Sequence, residues 1–291
     1  LLLPILSCRM VKLTMEYGFC ADSVVGLATV GLSVWNFTED IQLASHIAKV
    51  SELLVEESPK KHVLRSRLCN ELTCTLKYIT APAQSVLLAL PELYKSAMMV
   101  GDVENAMICR LNYYAGSFWV EATDLYSLTK HLLVCIKEAI KRRHNTILHY
   151  AMVTLNTCTY LTGSSISEIH IKTFDELDEI GEKTEQPFLL WQIFMSRLSL
   201  HFWMWEYTAV AELSETYSKK HPSSPRNRVL NIYRTFFEGI AYFSLARDTK
   251  QANWKVLGKK AMAYLCQLES QLQTNFENKS QLLHAELCYL E

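Results

Sequence analysis

Apolar residues recur every three to four positions along almost the whole chain, and this spacing restricts the fold more than any other feature. It is typical of amphipathic α-helices, whereas the strict alternation of a half-buried strand is nearly absent. Only 9 Gly and 7 Pro occur in 291 residues, few for an all-β protein, and hydrophobic residues make up 49 % of the chain. The sequence therefore predicts an all-α protein with a substantial core.

Turn and capping residues divide this pattern into separate helices. Asp102 follows Gly101 and is expected to cap a helix, and Pro187 suits the first position of another. Pro91 predicts a break and a fresh start, because an interior proline costs about 3 kcal/mol. The predicted helices are 3–17, 22–36, 38–57, 62–80, 83–100 with the restart, 103–119, 123–143, 145–161, 167–184, 186–205, 207–220, 226–247, 253–273 and 280–291.

Three glycines indicate an internal repeat. Gly31, Gly116 and Gly239 each lie late in a predicted helix, which we place first in a pair, among aromatic and small neighbours. Their separations, about 85 and about 123 residues, correspond to two and three units of about 41 residues. The intermediate units centre near small residues, namely Thr73, Cys158 and Ser199. This spacing predicts a right-handed solenoid of antiparallel helix hairpins; the alternative is an irregular helical domain with chance spacing.

The predicted solenoid is TPR-like only in shape, because the 34-residue period and the Trp-Leu-Gly-Tyr signature of strict tetratricopeptide repeats are missing. We expect one array over residues 1–291, with weak internal boundaries near 80–83, 162–166 and 221–225. The chain begins without Met and stops within a helical pattern. We therefore expect it to be a fragment of a longer protein.

Charge and cysteine usage argue against several classes of ligand. The formal net charge of −1 disfavours a basic nucleic-acid surface. The 9 cysteines lie scattered in apolar runs without CxxC spacing, which predicts core thiols in a reducing compartment and no metal site. No segment has the length of uninterrupted apolar sequence that a membrane helix needs. We expect a cytoplasmic protein that binds neither nucleic acid nor membranes.

One family resemblance emerges from three stretches. They are Gly101-Asp102-Val103-Glu104-Asn105-Ala106 with the aromatic and small residues through Trp119, Tyr17-Gly18 with Ser23 to Gly31, and Leu88-Ala89-Leu90-Pro91-Glu92-Leu93. Together they resemble the helical region that follows the STAND-class, AAA-type ATPase module in large multidomain signalling proteins. In that family a protein-kinase-like domain and the ATPase precede the helical array, and sensor modules with a histidine kinase or nucleotide cyclase follow it. The resemblance implies a scaffold or sensor arm, and no catalytic residue is carried over.

Motifs of catalysis do not occur in the chain. A Walker-type phosphate loop, His-Glu-x-x-His, Gly-x-Ser-x-Gly and the kinase His-Arg-Asp are all missing. His144 and His149 are five positions apart and do not share a helix face. We expect a non-enzymatic segment without catalytic residues, cofactor or metal.

Aromatic and charged residues are the candidates for partner binding, either to another protein or to neighbouring domains of the same chain. For the aromatic residues the alternative is core packing, and for the charged ones it is a solvated helix face. Trp203 and Trp205 lie about 200° apart on a helix, so we expect one of them to be exposed or in a groove. The candidate residues are Tyr113, Tyr114, Trp119, Trp203, Trp205, Arg142, Arg143, Asp175 and Glu179.

Three functions remain open from the sequence. The first is a protein-interaction and signal-relay segment of a multidomain signalling ATPase. The second is a free-standing TPR-like module that binds peptides, for which polar capping helices are expected at both ends. The third is an all-α enzyme with a small-molecule pocket, for which the acidic residues from Asp175 to Glu179 are the only candidate site.

Overall fold

The computed structural model of the chain is helical and describes residues 2–38, 40–120, 122–167, 169–221, 228–270 and 277–291. Within these ranges there is no β-strand, which confirms the all-α prediction. In the same ranges no helix is both long and apolar enough to cross a bilayer. Most of the predicted boundary at 221–225 lies outside the described residues, as do the predicted helix start at 226 and helix end at 273.

The chain forms two compact units, residues 1–123 and 124–291. The first unit contains seven α-helices among its described residues, and a π-helical segment, Cys69–Leu76, separates the fourth from the fifth. They are α1 (Leu2–Tyr17), α2 (Ala21–Thr38), α3 (Ile41–Glu57), α4 (Lys61–Arg67), α5 (Lys77–Thr80), α6 (Ala83–Met99) and α7 (Val103–Trp119). The described helices of the second unit are α8 (Leu125–Arg142), α9 (Asn145–Thr162), α10 (Phe174–Lys183), α11 (Pro187–Trp203), α12 (Tyr207–Lys220), α13 (Arg228–Thr249), α14 (Ala252–Glu269) and α15 (Glu277–Leu290).

Helices that follow one another in sequence pack together in both units. In the first unit α2 packs against α1 and α3, α6 packs against α7 and α4, and the π-helical segment contacts α2. In the second unit the main sequential pairs are α8 with α9, α10 with α11 and α13 with α14, while α11 also packs on α9 and α15 packs on α13. The solenoid with its period of about 41 residues and the internal boundaries remain predictions.

Glycines let neighbouring helices approach closely. A Cβ added to Gly31 would lie 2.8 Å from Ile47 Cγ2, and one added to Gly116 would lie 2.5 Å from Leu87 Cδ2. Gly239 has a similarly close neighbour in the second unit. A side chain at these positions would meet the methyl groups of packed neighbours such as Ile47 and Leu87, and making room for it in a filled core costs about 1–3 kcal/mol. The helix of Gly116 packs against the preceding helix, α6, so this glycine lies in the second helix of its pair rather than in the first.

Asp102 caps helix α7, as its place after Gly101 indicates. Its Oδ1 accepts from the backbone N–H of Asn105 at 3.3 Å, and its Oδ2 accepts from Asn105 Nδ2 at 2.9 Å and from the hydroxyl of Ser66. Burial raises the pKa of this carboxyl group, but the hydrogen bonds from Ser66 and Asn105 outweigh burial and hold the pKa below its ordinary value of 3.8. The capping bonds therefore favour the ionised form.

Because the folded-state pKa of Asp102 is lowered, its contribution to stability is present above the ordinary pKa and is lost as the pH falls through the folded value. We expect the unfolding free energy of Asp102→Asn to fall less than that of the wild type between about pH 5 and pH 3. Asp102→Ala is expected to cost about 1–2 kcal/mol at neutral pH, because it removes the cap. Urea titrations across this pH range measure both effects, and a wild-type pH profile identical to that of Asp102→Asn would contradict the assignment.

Helix α6 runs without interruption through Pro91, so the predicted restart at that residue is wrong. A proline inside a helix removes one backbone hydrogen bond and crowds the preceding turn. The flanking residues Leu87 and Leu90 are 2 % and 1 % exposed and pack around Cys109. Burial of side chains of this size, each stabilising by about 1.5–3 kcal/mol, offsets the cost of the proline and keeps the helix continuous.

Two other predicted helices differ from the structure. The segment predicted as one helix over 62–80 is divided into α4, the π-helical segment and α5. The helix predicted over 167–184 begins only at Phe174, because Thr173 forms a capping box with Glu176. Before this cap, Asn156 Nδ2 donates to the carbonyl oxygen of Lys172 at 2.7 Å, which fixes the non-helical backbone against α9.

Candidate functional site

The turn between α11 and α12 presents two large aromatic side chains to solvent. Trp203 is the last residue of α11, and Trp205 lies in the three-residue connection to α12. They are 48 % and 78 % exposed, and Met204 between them is 43 % exposed. Tryptophan and methionine are enriched where proteins meet, so this turn is the first candidate for a contact surface.

Trp205 adopts a backbone conformation that favours glycine. Its φ angle is +64°, in the left-handed region. The N–H of Trp205 donates to Phe202 O at 3.1 Å and the N–H of Glu206 donates to His201 O at 2.9 Å. These two bonds form a Schellman motif, in which the left-handed position is usually glycine. A tryptophan in this position costs about 1–2 kcal/mol of backbone energy.

The side chains at either end of this turn also contact each other. His201 Nδ1 lies 2.6 Å from Glu206 Oε2, so the two residues whose backbones close the Schellman motif are also joined through their side chains. The exposed Trp205 therefore lies in a connection whose two ends are joined by both backbone and side-chain contacts. Strained conformations of this kind are concentrated at binding and switch sites.

Aromatic rings beneath the turn connect it to the core of the second unit. We name this set the aromatic ridge; its members are Phe202, Trp203, Trp205, Tyr207, Phe236 and Phe237. Phe237 is 4 % exposed and its ring centroid lies 4.4 Å from that of Phe202. Trp203 contacts Phe202 at 5.3 Å, and Trp205 lies 6.4 Å from Tyr207. The inner rings thus support the exposed tryptophans from below.

The sequence predicts that Trp203 and Trp205 do not both face the core and that one of them is exposed or in a groove, and in the structure both are exposed. The prediction treated the two residues as part of one continuous helix, where their positions differ by about 200°. Helix α11 ends at Trp203, and the positive φ of Trp205 turns its side chain out of the helical series. Both rings are therefore free to contact a partner.

The aromatic candidates of the first unit are half-buried on α7. Tyr113 and Tyr114 contact each other with ring centroids 5.5 Å apart, and Trp119 contacts Phe118 at 5.1 Å. Tyr113 packs against the core cluster around Leu87. Core packing, the alternative that the sequence left open, therefore explains much of the position of these side chains.

The acidic candidates on α10 have cationic partners within the second unit. Asp175 and Asp178 both pair with Arg197 of α11, at 2.6 and 2.8 Å, and Glu179 pairs with Lys183 at 3.3 Å. Burial raises the pKa of Asp178, although the Arg197 guanidinium opposes that shift. The Arg197 pairs tie α10 to α11, and all three contacts reduce the negative charge that is free to attract another domain.

The basic candidates lie at the end of α8. Arg142 Nε donates to Glu138 Oε1 at 3.0 Å, and Arg143 occupies the left-handed position that ends the helix, with φ +56°. Both side chains are exposed. Cations at this end also compensate the helix dipole, so their position has a structural reason besides any contact with a partner.

Sequence reasoning missed a groove in the first unit. It has a volume of about 620 Å³ and lies between α3 and α6, above residues of α4 and the π-helical segment. No spacing in the sequence marks the π-helical segment, because its apolar residues fit an ordinary α-helix equally well. The groove was therefore visible only from the packing of five elements, α3, α4, the π-helical segment, α5 and α6.

Among the described residues, no group of three or more His, Cys, Asp or Glu side chains is placed to hold a metal ion. No protein-family model matches this chain, and no curated protein matches it significantly.

Proposed function

We propose that this chain is a non-catalytic protein-interaction and signal-relay segment, and that it belongs to a multidomain signalling ATPase of the STAND class in the cytoplasm. In this proposal its helices form a TPR-like solenoid of hairpins. Binding of a protein partner, or of a neighbouring domain of the same chain, changes the contacts that the segment makes with the ATPase. The residues of this segment bind and transmit, and none makes or breaks a covalent bond.

The exposed tryptophans of the aromatic ridge are the observation that carries this proposal. Trp203 lies 6.4 Å from the buried ring of Phe237, Trp205 lies 6.4 Å from the half-buried ring of Tyr207, and Trp205 keeps a strained backbone, although glycine would relieve it. Binding energy at protein interfaces is concentrated in a few residues such as tryptophan, each worth about 2 kcal/mol or more. A surface with these features gains stability when a partner covers it.

The proposal is tested on the full-length protein by measuring nucleotide hydrolysis, and any kinase or cyclase output, with the partner present. We expect the double substitution Trp203→Ala and Trp205→Ala to change the partner-dependent output by at least about tenfold, which corresponds to the loss of one interface hot spot. Tyr160→Ala is the matched control, because Tyr160 is an exposed aromatic residue of the same unit, 64 % exposed, outside the ridge. An output that responds equally to both variants, or to neither, would exclude the relay role of this surface.

The groove of the first unit favours the free-standing peptide-binding module as the second candidate. Its volume of about 620 Å³ lies in the range of known ligand clefts, about 300–1,000 Å³. The two candidates differ in what they predict for ATPase output. A peptide-binding module binds its ligand without altering nucleotide hydrolysis by any other domain.

A further inference from the structure

The groove of the first unit has two helical walls of equal length. The α3 wall runs from Lys49 to Glu56 and the α6 wall from Ala89 to Ser96, each about 10 Å long at 1.5 Å per residue. Leu68 and Leu72 form an apolar floor and are themselves 1 % and 5 % exposed. A channel with these walls has the shape that accommodates a helix or an extended segment.

The floor of the groove includes part of the π-helical segment Cys69–Leu76. Asn112 Nδ2 lies 3.2 Å from Cys74 Sγ and ties this segment to α7. π-Helical turns are rare and occur frequently at functional sites. The wider turn therefore adds an observation, independent of the cavity itself, that points to binding.

Charges around the groove restrict the chemistry of the occupant. Arg65 pairs with Glu56 at 2.5 Å and Lys77 pairs with Glu52 at 3.1 Å. A small anion such as a phosphate would have to displace these carboxylates. Lys49 makes no ion pair within the described ranges. The walls therefore fit an occupant that is mainly apolar and carries an acidic group for Lys49.

Exposed apolar side chains lie in the groove and beside it. Leu53 on α3 lines the groove and is 63 % exposed, while Leu88 and Met99 on α6 lie outside the lining and are 74 % and 82 % exposed. Leu88, Glu92 and Met99 follow helical spacing along one stripe of α6, over about 16 Å or three turns. A small molecule within the groove would leave Leu88 and Met99 uncovered, whereas a helix as long as this stripe would reach both.

We propose that the groove between α3 and α6 binds an amphipathic α-helix of a partner protein. The helix is about three turns long, places apolar side chains at i, i+3 or i+4, and i+7 into the groove, and directs an acidic side chain towards Lys49. This inference rests on the interaction role proposed above, and it uses residues separate from the aromatic ridge.

The test uses the full chain and a fluorescent peptide of about 15 residues with leucines at i, i+4 and i+7 and glutamates at the flanking positions. A scrambled peptide of the same composition and a peptide with lysine in place of glutamate are the comparison probes. Fluorescence anisotropy is expected to show the glutamate peptide binding at least about tenfold more tightly than either. Ala89→Arg, which fills the groove, is expected to weaken binding at least about tenfold. Lys49→Glu is expected to reverse the preference between the glutamate and lysine peptides.

The controls distinguish a loss of peptide binding at the groove from a loss caused by misfolding or by the aromatic ridge. Leu53→Asp alters an exposed residue and is expected to weaken binding as Ala89→Arg does, whereas Leu43→Asp, also exposed on α3 but outside the groove, is expected to have no effect. Equal binding of the scrambled peptide, or unchanged binding by Ala89→Arg and Leu53→Asp, would overturn the inference. Binding of decanoate but not of the peptide would also overturn it. Peptide binding that is lost only in the double variant Trp203→Ala and Trp205→Ala would reject the groove and leave the proposed function standing.

Discussion

Arg234→Met is expected to lower the free energy of unfolding of the second unit by about 1–3 kcal/mol, the cost of leaving the part-buried Glu238 carboxylate without its charged hydrogen-bond partner. Arg234 Nε lies 2.6 Å from Glu238 Oε1, and the two side chains are only 16 % and 14 % exposed. The guanidinium group also lies 5.2 Å from the ring centroid of Phe194 and donates to Ser218 Oγ at 2.8 Å. Methionine replaces the apolar stem but none of these contacts.

Chemical denaturation of the wild type and Arg234→Met measures this effect, and an exposed ion pair provides the control. Lys219 and Glu215 on α12 are also four residues apart and lie 2.5 Å from each other, but they are 74 % and 66 % exposed. Lys219→Met is expected to change stability by less than about 0.5 kcal/mol, because solvent screens such pairs. If Arg234→Met costs no more than Lys219→Met, Arg234 has no special role in the core.

Trp205→Gly is expected to raise the stability of the second unit and, at the same time, to weaken its binding to a partner. The substitution removes the left-handed strain and is expected to raise the unfolding free energy by about 1 kcal/mol. Little packing is lost with the side chain, because Trp205 is 78 % exposed. The same substitution removes a proposed hot spot and is expected to weaken partner binding by more than about tenfold.

Lys250→Gly is the matched control for this experiment. Lys250 follows α13 with φ +59° and is also exposed. The Lys250→Gly variant is expected to gain a similar amount of unfolding free energy without any loss of partner binding. If Trp205→Gly instead destabilises the unit, the tryptophan contributes to the fold rather than to a contact surface, and the interpretation of the aromatic ridge is wrong.

The sequence predicted most helix borders because capping is a local effect. Asp102 provides a side-chain acceptor for the first turn of α7, Pro187 lacks the N–H that a first helical residue leaves unpaired, and Gly163 takes up the left-handed conformation that ends α9. Pro91 and the π-helical segment could not be predicted in this way. Their conformations depend on side chains from other helices that contact them after folding.

For the candidate site residues, too, local sequence predicts some features, whereas others depend on how the helices pack. Helical spacing correctly identified Trp203 and Trp205 as residues that cannot both enter the core. It failed to place both in solvent, because the end of α11 and the left-handed turn after it alter their directions. Arg197, which pairs with both Asp175 and Asp178, is 22 positions from the former along the chain. Only the packing of α10 on α11 brings these charges together.

Hydroxyl-radical footprinting of Trp203 and Trp205 tests the central claim, that the aromatic ridge is a contact surface, most directly. The chain is compared without and with the partner proposed for it, and Tyr160, 64 % exposed, serves as the exposed internal reference. We expect oxidation of both tryptophans to fall in the assembled protein while oxidation of Tyr160 stays constant. Equal oxidation of Trp203 and Trp205 in the isolated and assembled forms would contradict the account.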